Sequence, residues 1–244
     1  MNSQREEYLL KKYLGVEAVK ALHASNAFIA GGAITALFTG QKIRDWDVYF
    51  RSAQDCVNAQ TWFGINGKLV NETDTSKSYQ LGKSEKPFQL IVMPELFGAP
   101  AEIFKCYDFT VCMGAYDFSV NAFVFGDDFL KHIAQRRLVF HTGTMFPICS
   151  LLRVMKYLKR GFFISGMEVI KIGLSIHSLQ ITNFKELRRQ LQGIDTAFLA
   201  DLTVNFKEDP IAMQPYVMEQ FIEMMDQYVK ERYEHLTIES EEES

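Results

Sequence analysis

Asp45 and Asp47 stand one residue apart, and thirteen positions before Asp45 lies the second glycine of the pair Gly31-Gly32, all within GGAITALFTGQKIRDWDVYF, residues 31–50. Side chains two apart on a strand share a face, so these carboxylates project side by side with Cα atoms about 7 Å apart. Without a cation they repel. Hard oxygen ligands held so closely suit Mg²⁺ or Mn²⁺, whose remaining ligands come from water and phosphate oxygens. The chemistry they point to is metal-assisted phosphoryl or nucleotidyl transfer, with Asp45 and Asp47 as catalytic metal ligands.

The elements that must position them are short. Phe28-Ile29-Ala30 reads as a buried strand running into Gly31-Gly32, where missing side chains let backbone N–H groups approach a phosphate chain. Residues 33–38 read as a helix whose N-terminus favours an anion. The spacing from Gly32 to Asp45 leaves room for that helix and a return into a neighbouring strand, which brings glycines and carboxylates to one rim. Each half also has a plainer reading, Gly-Gly as a turn and Asp-x-Asp as a solvated strand edge. Their order and spacing favour the functional one.

The segment resembles the polymerase-β-like nucleotidyltransferase superfamily, in particular the head domain of bacterial poly(A) polymerases and class II CCA-adding enzymes. Their signature GGxxRDxxxGxxxxDxD is met without a gap at Gly31, Gly32, Gly40, Asp45 and Asp47, with Thr35-Ala36 in place of Arg-Asp. CYDFTVCMG, residues 106–114, resembles RRDFTINAL, keeping Asp108, Phe109 and Thr110 but holding Cys106 and Tyr107 where the family has arginines. FPICSLLRVMKYLKRGFFI, residues 146–164, resembles the neck-helix pattern DPxRxLRAxRFAxRxGFxI at Pro147, Leu152, Arg153, Lys156, Tyr157, Arg160, Gly161 and Phe162. The resemblance spans roughly residues 26–165 and implies an NTP substrate, two Mg²⁺ ions on Asp45 and Asp47, and a nucleotide contact from Asp108 to a ribose hydroxyl.

The departures matter as much as the matches. Paired arginines are bidentate donors for triphosphate oxygens, and neither Cys106 nor Tyr107 replaces them. On the neck helix, Arg153, Lys156 and Arg160 fall on one face and Ile148, Leu151, Leu152, Met155 and Leu158 on the opposite one. The apolar face is expected to dock and the basic face to look outward, where it could neutralise triphosphate charge or hold acceptor RNA. Lys42 and Arg44, just before Asp45, are further phosphate candidates, with Arg136, Arg137 and His141 adding positive charge. Gln89, in FQLIVM, falls where a third metal-binding carboxylate is expected, and an amide is a poor Mg²⁺ ligand.

The chain's 244 residues suffice for one large core or two small ones, and its composition is that of an ordinary soluble protein. No apolar run is long enough to span a bilayer, and the charged N-terminus has no signal-peptide core, so cytoplasmic residence is expected. Cys56, Cys106, Cys112 and Cys149 form no CxxC pair and read as reduced core thiols, and a zinc site with His132 or His141 fits no standard spacing. The net charge of −4 is concentrated in the last six residues, ESEEES, so the body is near neutral and the charge does not exclude a nucleic-acid partner.

The pattern predicts an α/β, mixed-sheet nucleotidyltransferase head over 1–143 with an N-terminal helix over 3–24, then an all-helical neck and C-terminal domain over 144–234, then an acidic tail over 235–244. Helices are expected at 53–63, capped by Ser52, and at 99–105, 127–134, 147–160, 166–180, 183–192, 195–203 and 210–233. Strands are expected at 45–50, 68–73, 78–82, 88–93, 109–116, 119–125 and 138–140. The function expected is transfer of NMP from an NTP to an acceptor hydroxyl, on RNA by analogy, with release of pyrophosphate. Two alternatives stand beside it, a weakened NTP-binding module and a toxin-like enzyme that modifies tRNA or protein. Base preference and oligomeric state are left open.

Overall fold

A computed structural model describes residues 3–82 and 86–179 together with positions 181, 186, 189, 190 and 223. The chain divides into two compact units, Met1–Ile176 and His177–Ser244. The first holds everything described below except His177, the last residue of the final helix, and the expected boundary near residue 143 falls within it. The expected helices at 183–192, 195–203 and 210–233 and the acidic tail lie wholly or largely outside the described residues.

The N-terminal helix forms as two pieces, α1 (Gln4–Leu14) and α2 (Val16–Ala24), because Gly15 adopts a φ of 82°. Strand β1 (Phe28–Ala30) leads through Gly31 into α3 (Gly32–Thr39), and β2 (Trp46–Tyr49) returns antiparallel to β1. Helix α4 (Ala53–Asn66) begins as expected at Ser52, whose hydroxyl accepts from the Asp55 N–H at 3.2 Å, but runs on through Gly64 to a cap at Gly67. Strands β3 (Gly67–Glu72), β4 (Ser76–Leu81) and β5 (Phe88–Ile91) follow, then α5 (Pro100–Phe104), β6 (Gly114–Asp117), β7 (Ala122–Phe125) and α6 (Phe129–Ala134). The sheet has seven strands in the order β3-β4-β5-β2-β1-β6-β7, antiparallel except for the parallel pair β2/β5. This is the mixed α/β head that the sequence implies.

Residues 109–116 do not form one strand. Thr110–Cys112 make a 3-10 turn, pinned where the Thr110 N–H donates to the Val139 carbonyl at 3.1 Å and the buried Thr35 hydroxyl donates to the Val111 carbonyl at 2.6 Å. Only at Gly114, where the Phe129 ring occupies the space a Cβ would need, does the chain become extended as β6.

After α6 come β8 (Arg137–Leu138), α7 (Pro147–Leu158), β9 (Phe163–Ile164) and α8 (Gly166–His177). The parallel pairing of β8 with β9 is too short to leave a periodic trace in the sequence. Val154, Tyr157, Phe162 and Ile172 join the same apolar core as Ile29, Trp46, Val48, Phe88 and Phe109, so the neck helix packs as part of the head. A smaller cluster on the other face of the sheet gathers Phe28, Tyr49, Ile103, Phe104 and Met113. All four cysteines are free thiols, and Cys106 is only partly buried, outside the core expected for it. Among the described residues, no helix is long and apolar enough to cross a membrane.

Candidate functional site

Period-two alternation along β2 sorts its side chains. Trp46 and Val48, 1% and 0% exposed, enter the main core, which turns Asp47 and Tyr49 to the opposite face, and Asp45, just before the strand, acts on Asp47 through its charge. β2 lies centrally, between β1 and β5, and Asp47 is half-buried there. Burial first, and then the Asp45 charge, push the Asp47 carboxyl up to about 7, while Lys156 and Arg153 pull it the other way. A carboxylate so stressed in the free protein is one that a cation would relieve.

The glycine pair meets this carboxylate. Gly31 has a φ of 80°, and a Cβ built on it would lie 3.9 Å from Asp47 Oδ2 and 3.6 Å from the Tyr107 hydroxyl. A Cβ at Gly32 would have nothing within 4 Å, and no side chain caps the N-terminus of α3. The cradle is therefore open at Gly32, whereas Tyr107 occupies the side over Gly31. Tyr107 is the residue whose part sequence reasoning missed. Its signal in the sequence is its place in the arginine motif, where a phenol reads only as a lost cation. Its buried hydroxyl makes no hydrogen bond of good geometry, although Tyr49 lies close enough to interact with it.

The neck helix is turned relative to the expectation. Leu151, Met155 and Leu158 are 47%, 50% and 40% exposed, whereas Cys149, Ser150, Val154 and Tyr157 are buried. Arg153 and Lys156 therefore look toward the head, not outward. The cause is a better electrostatic partner on that side: Arg153 Nη1 lies 3.0 Å from Oδ1 of Asp108, and Nη2 donates to Cys112 Sγ at 3.3 Å. Burial, the largest single influence, works against the Arg153 charge, but Asp108, Cys112 and Tyr157 together outweigh it and hold the guanidinium cationic. Lys156 is pulled down by burial and by the Arg153 and Arg160 charges, and Asp45 and Asp47 partly restore it.

The remaining candidates divide. Arg160 feels both Arg44 and Asp45, and its carbonyl accepts from Gln41 Nε2 at 2.7 Å, so the exposed loop with Lys42 and Arg44 borders the same rim. Arg136 donates to the Thr39 carbonyl at 3.3 Å and stacks over Phe162, while His141 Nδ1 lies 3.0 Å from the Tyr107 carbonyl. Gln89 is the register partner of Asp47, the place expected of a third carboxylate, and its amide donates to Ser76 Oγ at 2.9 Å. Among the described residues, no three His, Cys, Asp or Glu side chains cluster to hold a metal, so the donor set is the carboxylate pair. Two hard anionic oxygens sources on one face, one of them strained toward protonation, fit a divalent cation of the Mg²⁺ type.

This arrangement on this sheet is the nucleotidyltransferase fold. The structure resembles a Thermotoga maritima CCA-adding enzyme complexed with tRNA, at a TM-score of 0.53 and 16% identity over 80% of this chain and 52% of that one. It also resembles a CCA-adding enzyme solved with CTP, at a TM-score of 0.54 and 16% identity over 93% of this chain and 62% of that one. More particularly, the Gabija anti-defense 2 family model matches residues 4–136, more than half of the chain, and the chain belongs to that family. A Bacillus phage SPbetaL7 relative named Gabija anti-defense 2 is 42% identical over 196 residues, 80% of this chain and 48% of the relative, so this chain spans about half of that protein.

Proposed function

We propose that the chain is an NTP-dependent nucleotidyltransferase that moves an NMP to an acceptor hydroxyl and releases pyrophosphate. The observation that carries this reading is Asp47 beside Gly31, within reach of the Asp45 charge and of the Arg153 and Lys156 charges. Asp45 and Asp47 would hold Mg²⁺ or Mn²⁺, which when bound supplies positive charge at the reacting phosphate and acidifies the acceptor hydroxyl. The N–H groups opening α3 at Gly32 receive phosphate oxygens. Arg153 and Lys156 take over, from the neck helix, the triphosphate neutralisation that the missing arginines at Cys106 and Tyr107 would otherwise provide. Lys42, Arg44 and Arg160 extend the cationic rim toward the acceptor.

The acceptor is a nucleic-acid or protein hydroxyl. The likeness to one CCA-adding enzyme solved with tRNA supports RNA, while the anti-defense family supports a narrow acceptor, a host tRNA or protein, modified to block a defence. Gln89 and the lost arginines favour a second reading, an NTP-binding module without turnover. Incubation with each α-labelled NTP, total RNA and a host lysate separates them. Label in RNA or in one protein, with pyrophosphate released, is the expected result. Replacing both aspartates by asparagine should lower transfer by about 10³-fold or more, since metal-borne charge stabilisation amounts to several kcal/mol, with the circular dichroism spectrum unchanged. Transfer that survives the double replacement rules the mechanism out.

A further inference from the structure

We infer that Asp108 is a positioning residue, holding the Arg153 guanidinium at the carboxylate rim, and that it does not contact the ribose of a bound nucleotide. This rests on the nucleotidyltransferase reading and revises the part expected of Asp108 within it.

A residue that reads a ribose hydroxyl must present its carboxylate to the cleft. Asp108 is 3% exposed, and its carboxylate is met by Arg153 at 3.0 Å from a different element. Its backbone is fixed as well, its carbonyl accepting from the His141 N–H at 2.7 Å. A buried carboxylate without a counter-charge is costly, so pulling Asp108 away from Arg153 toward a sugar would leave its own charge buried and unpaired. Arg153 is the partner that reaches outward: its side chain is 35% exposed, and its charge acts on Asp47 and on Tyr49.

The guanidinium is held on two sides. One nitrogen lies against Asp108 and the other donates to Cys112 Sγ, which in turn sits 2.8 Å from the Tyr157 hydroxyl on the next turn of α7. A guanidinium carries five N–H donors, more than these contacts use, so its open edge can take a phosphate bidentately. Asp108 lies just before the 3-10 turn that replaces the expected strand and Cys112 is its last residue, and that turn brings both within reach of one side chain of the neck helix. Positive charge that the family motif places at the two positions before Asp108 is thus supplied from α7 and aimed by Asp108.

The test compares binding of three ligands to the full chain in the presence of Mg²⁺: whichever of ATP, CTP, GTP or UTP binds best, its 2′-deoxy form, and inorganic tripolyphosphate. Asp108→Asn should weaken all three by a common factor of about tenfold, the size of one charge-assisted contact. Arg153→Met should weaken them at least as much, the double variant no more than Arg153→Met, and Arg153→Lys by an intermediate amount. Selective loss of the ribonucleotide in Asp108→Asn, with the deoxy form and tripolyphosphate unaffected, would make Asp108 a sugar reader and overturn the proposal. So would multiplicative losses in the double variant. If Asp108→Asn does not give the native circular dichroism spectrum, Arg153→Lys decides, since it leaves Asp108 paired. Equal weakening of the three ligands then supports the proposal, and unchanged binding of all three sinks it. A wild-type chain that binds none of the three refutes the nucleotidyltransferase reading itself, a result distinct from any pattern among the variants.

Discussion

At the residue scale the site is governed by two like charges brought together on a half-buried rim. Asp47 ionises near 3.8 in an ordinary setting and at about 7 in the folded chain. Below the lower value the group is protonated whether folded or unfolded, and it does not weigh on folding. As pH rises between the two values the unfolded chain loses its proton first, so folded-state stability declines until pH passes about 7. The metal-free protein should therefore melt at a lower temperature at about pH 8 than at about pH 5, and Asp47→Asn, which has no charge to desolvate, should flatten that decline. Added Mg²⁺ should raise the wild-type melting temperature more at the higher pH, because the cation competes with the proton for the same oxygens. Thermal scans of both proteins with and without Mg²⁺ check this. An identical pH profile in the variant would mean that Asp47 does not carry the strain. Gly31 has a related constraint, since a side chain there must adopt a φ of 80° beside Asp47 and Tyr107. Gly31→Ala should cost about 1–2 kcal/mol in urea unfolding from backbone strain alone, and a neutral result would show that the turn can reshape.

At the scale of elements, α7 shows what a periodic pattern can and cannot say. The spacing of its apolar and basic residues announces an amphipathic helix correctly, but not which face meets the protein. A basic stripe is normally turned to water. Here the neighbouring surface carries Asp108 and lies within the field of Asp45 and Asp47, so the cations are drawn to it, and Leu151, Met155 and Leu158 are left exposed. The information sat in Asp108, 45 residues upstream of Arg153, and no local window joins the two. The consequence is measurable in stability. Val154 is 7% exposed in the core, and Val154→Ala should cost about 1–3 kcal/mol, whereas Met155→Gln at its 50% exposed neighbour should stay within about 0.5 kcal/mol. Urea unfolding of the two variants distinguishes the orientations, because a helix docked by its Leu151/Met155/Leu158 face would reverse the order. The residues 109–113 teach a similar lesson. An apolar run bounded by polar residues reads as a strand, but hydrogen bonds from Thr110 and Thr35 hold it in a 3-10 turn, and those partners come from α3 and from the segment before α7.

At the scale of the whole molecule, the legible part was the frame. Gly31-Gly32, Asp45 and Asp47 lie on one strand-helix-strand unit, so their spacing encodes their meeting, and the fold follows the likeness even where identity to solved CCA-adding enzymes is 16%. The cationic side of the site was less legible, because Arg153 and Lys156 arrive from α7 and Tyr107 from the turn before β6, each by tertiary packing. Every one of these groups nonetheless belongs to the unit Met1–Ile176, together with the core that joins the sheet to α7 and α8. That unit has what an independent domain needs: a continuous buried core, a sheet whose central strands are covered on both faces, and a size well above the range where cores become too small. A fragment of residues 1–177, ending with α8, should therefore unfold in urea in one cooperative transition with coincident far-ultraviolet and tryptophan signals, Trp46 reporting from the interior. It should also keep the site's groups in register, so that its affinity for the preferred NTP stays within about threefold of the full chain, under 1 kcal/mol. A fragment that lacks a cooperative transition would show that the core seen within this unit is not sufficient to hold Asp45 and Asp47 in place. A fragment that folds but does not bind, when the full chain does, would show that the nucleotide site extends beyond the residues assigned to it.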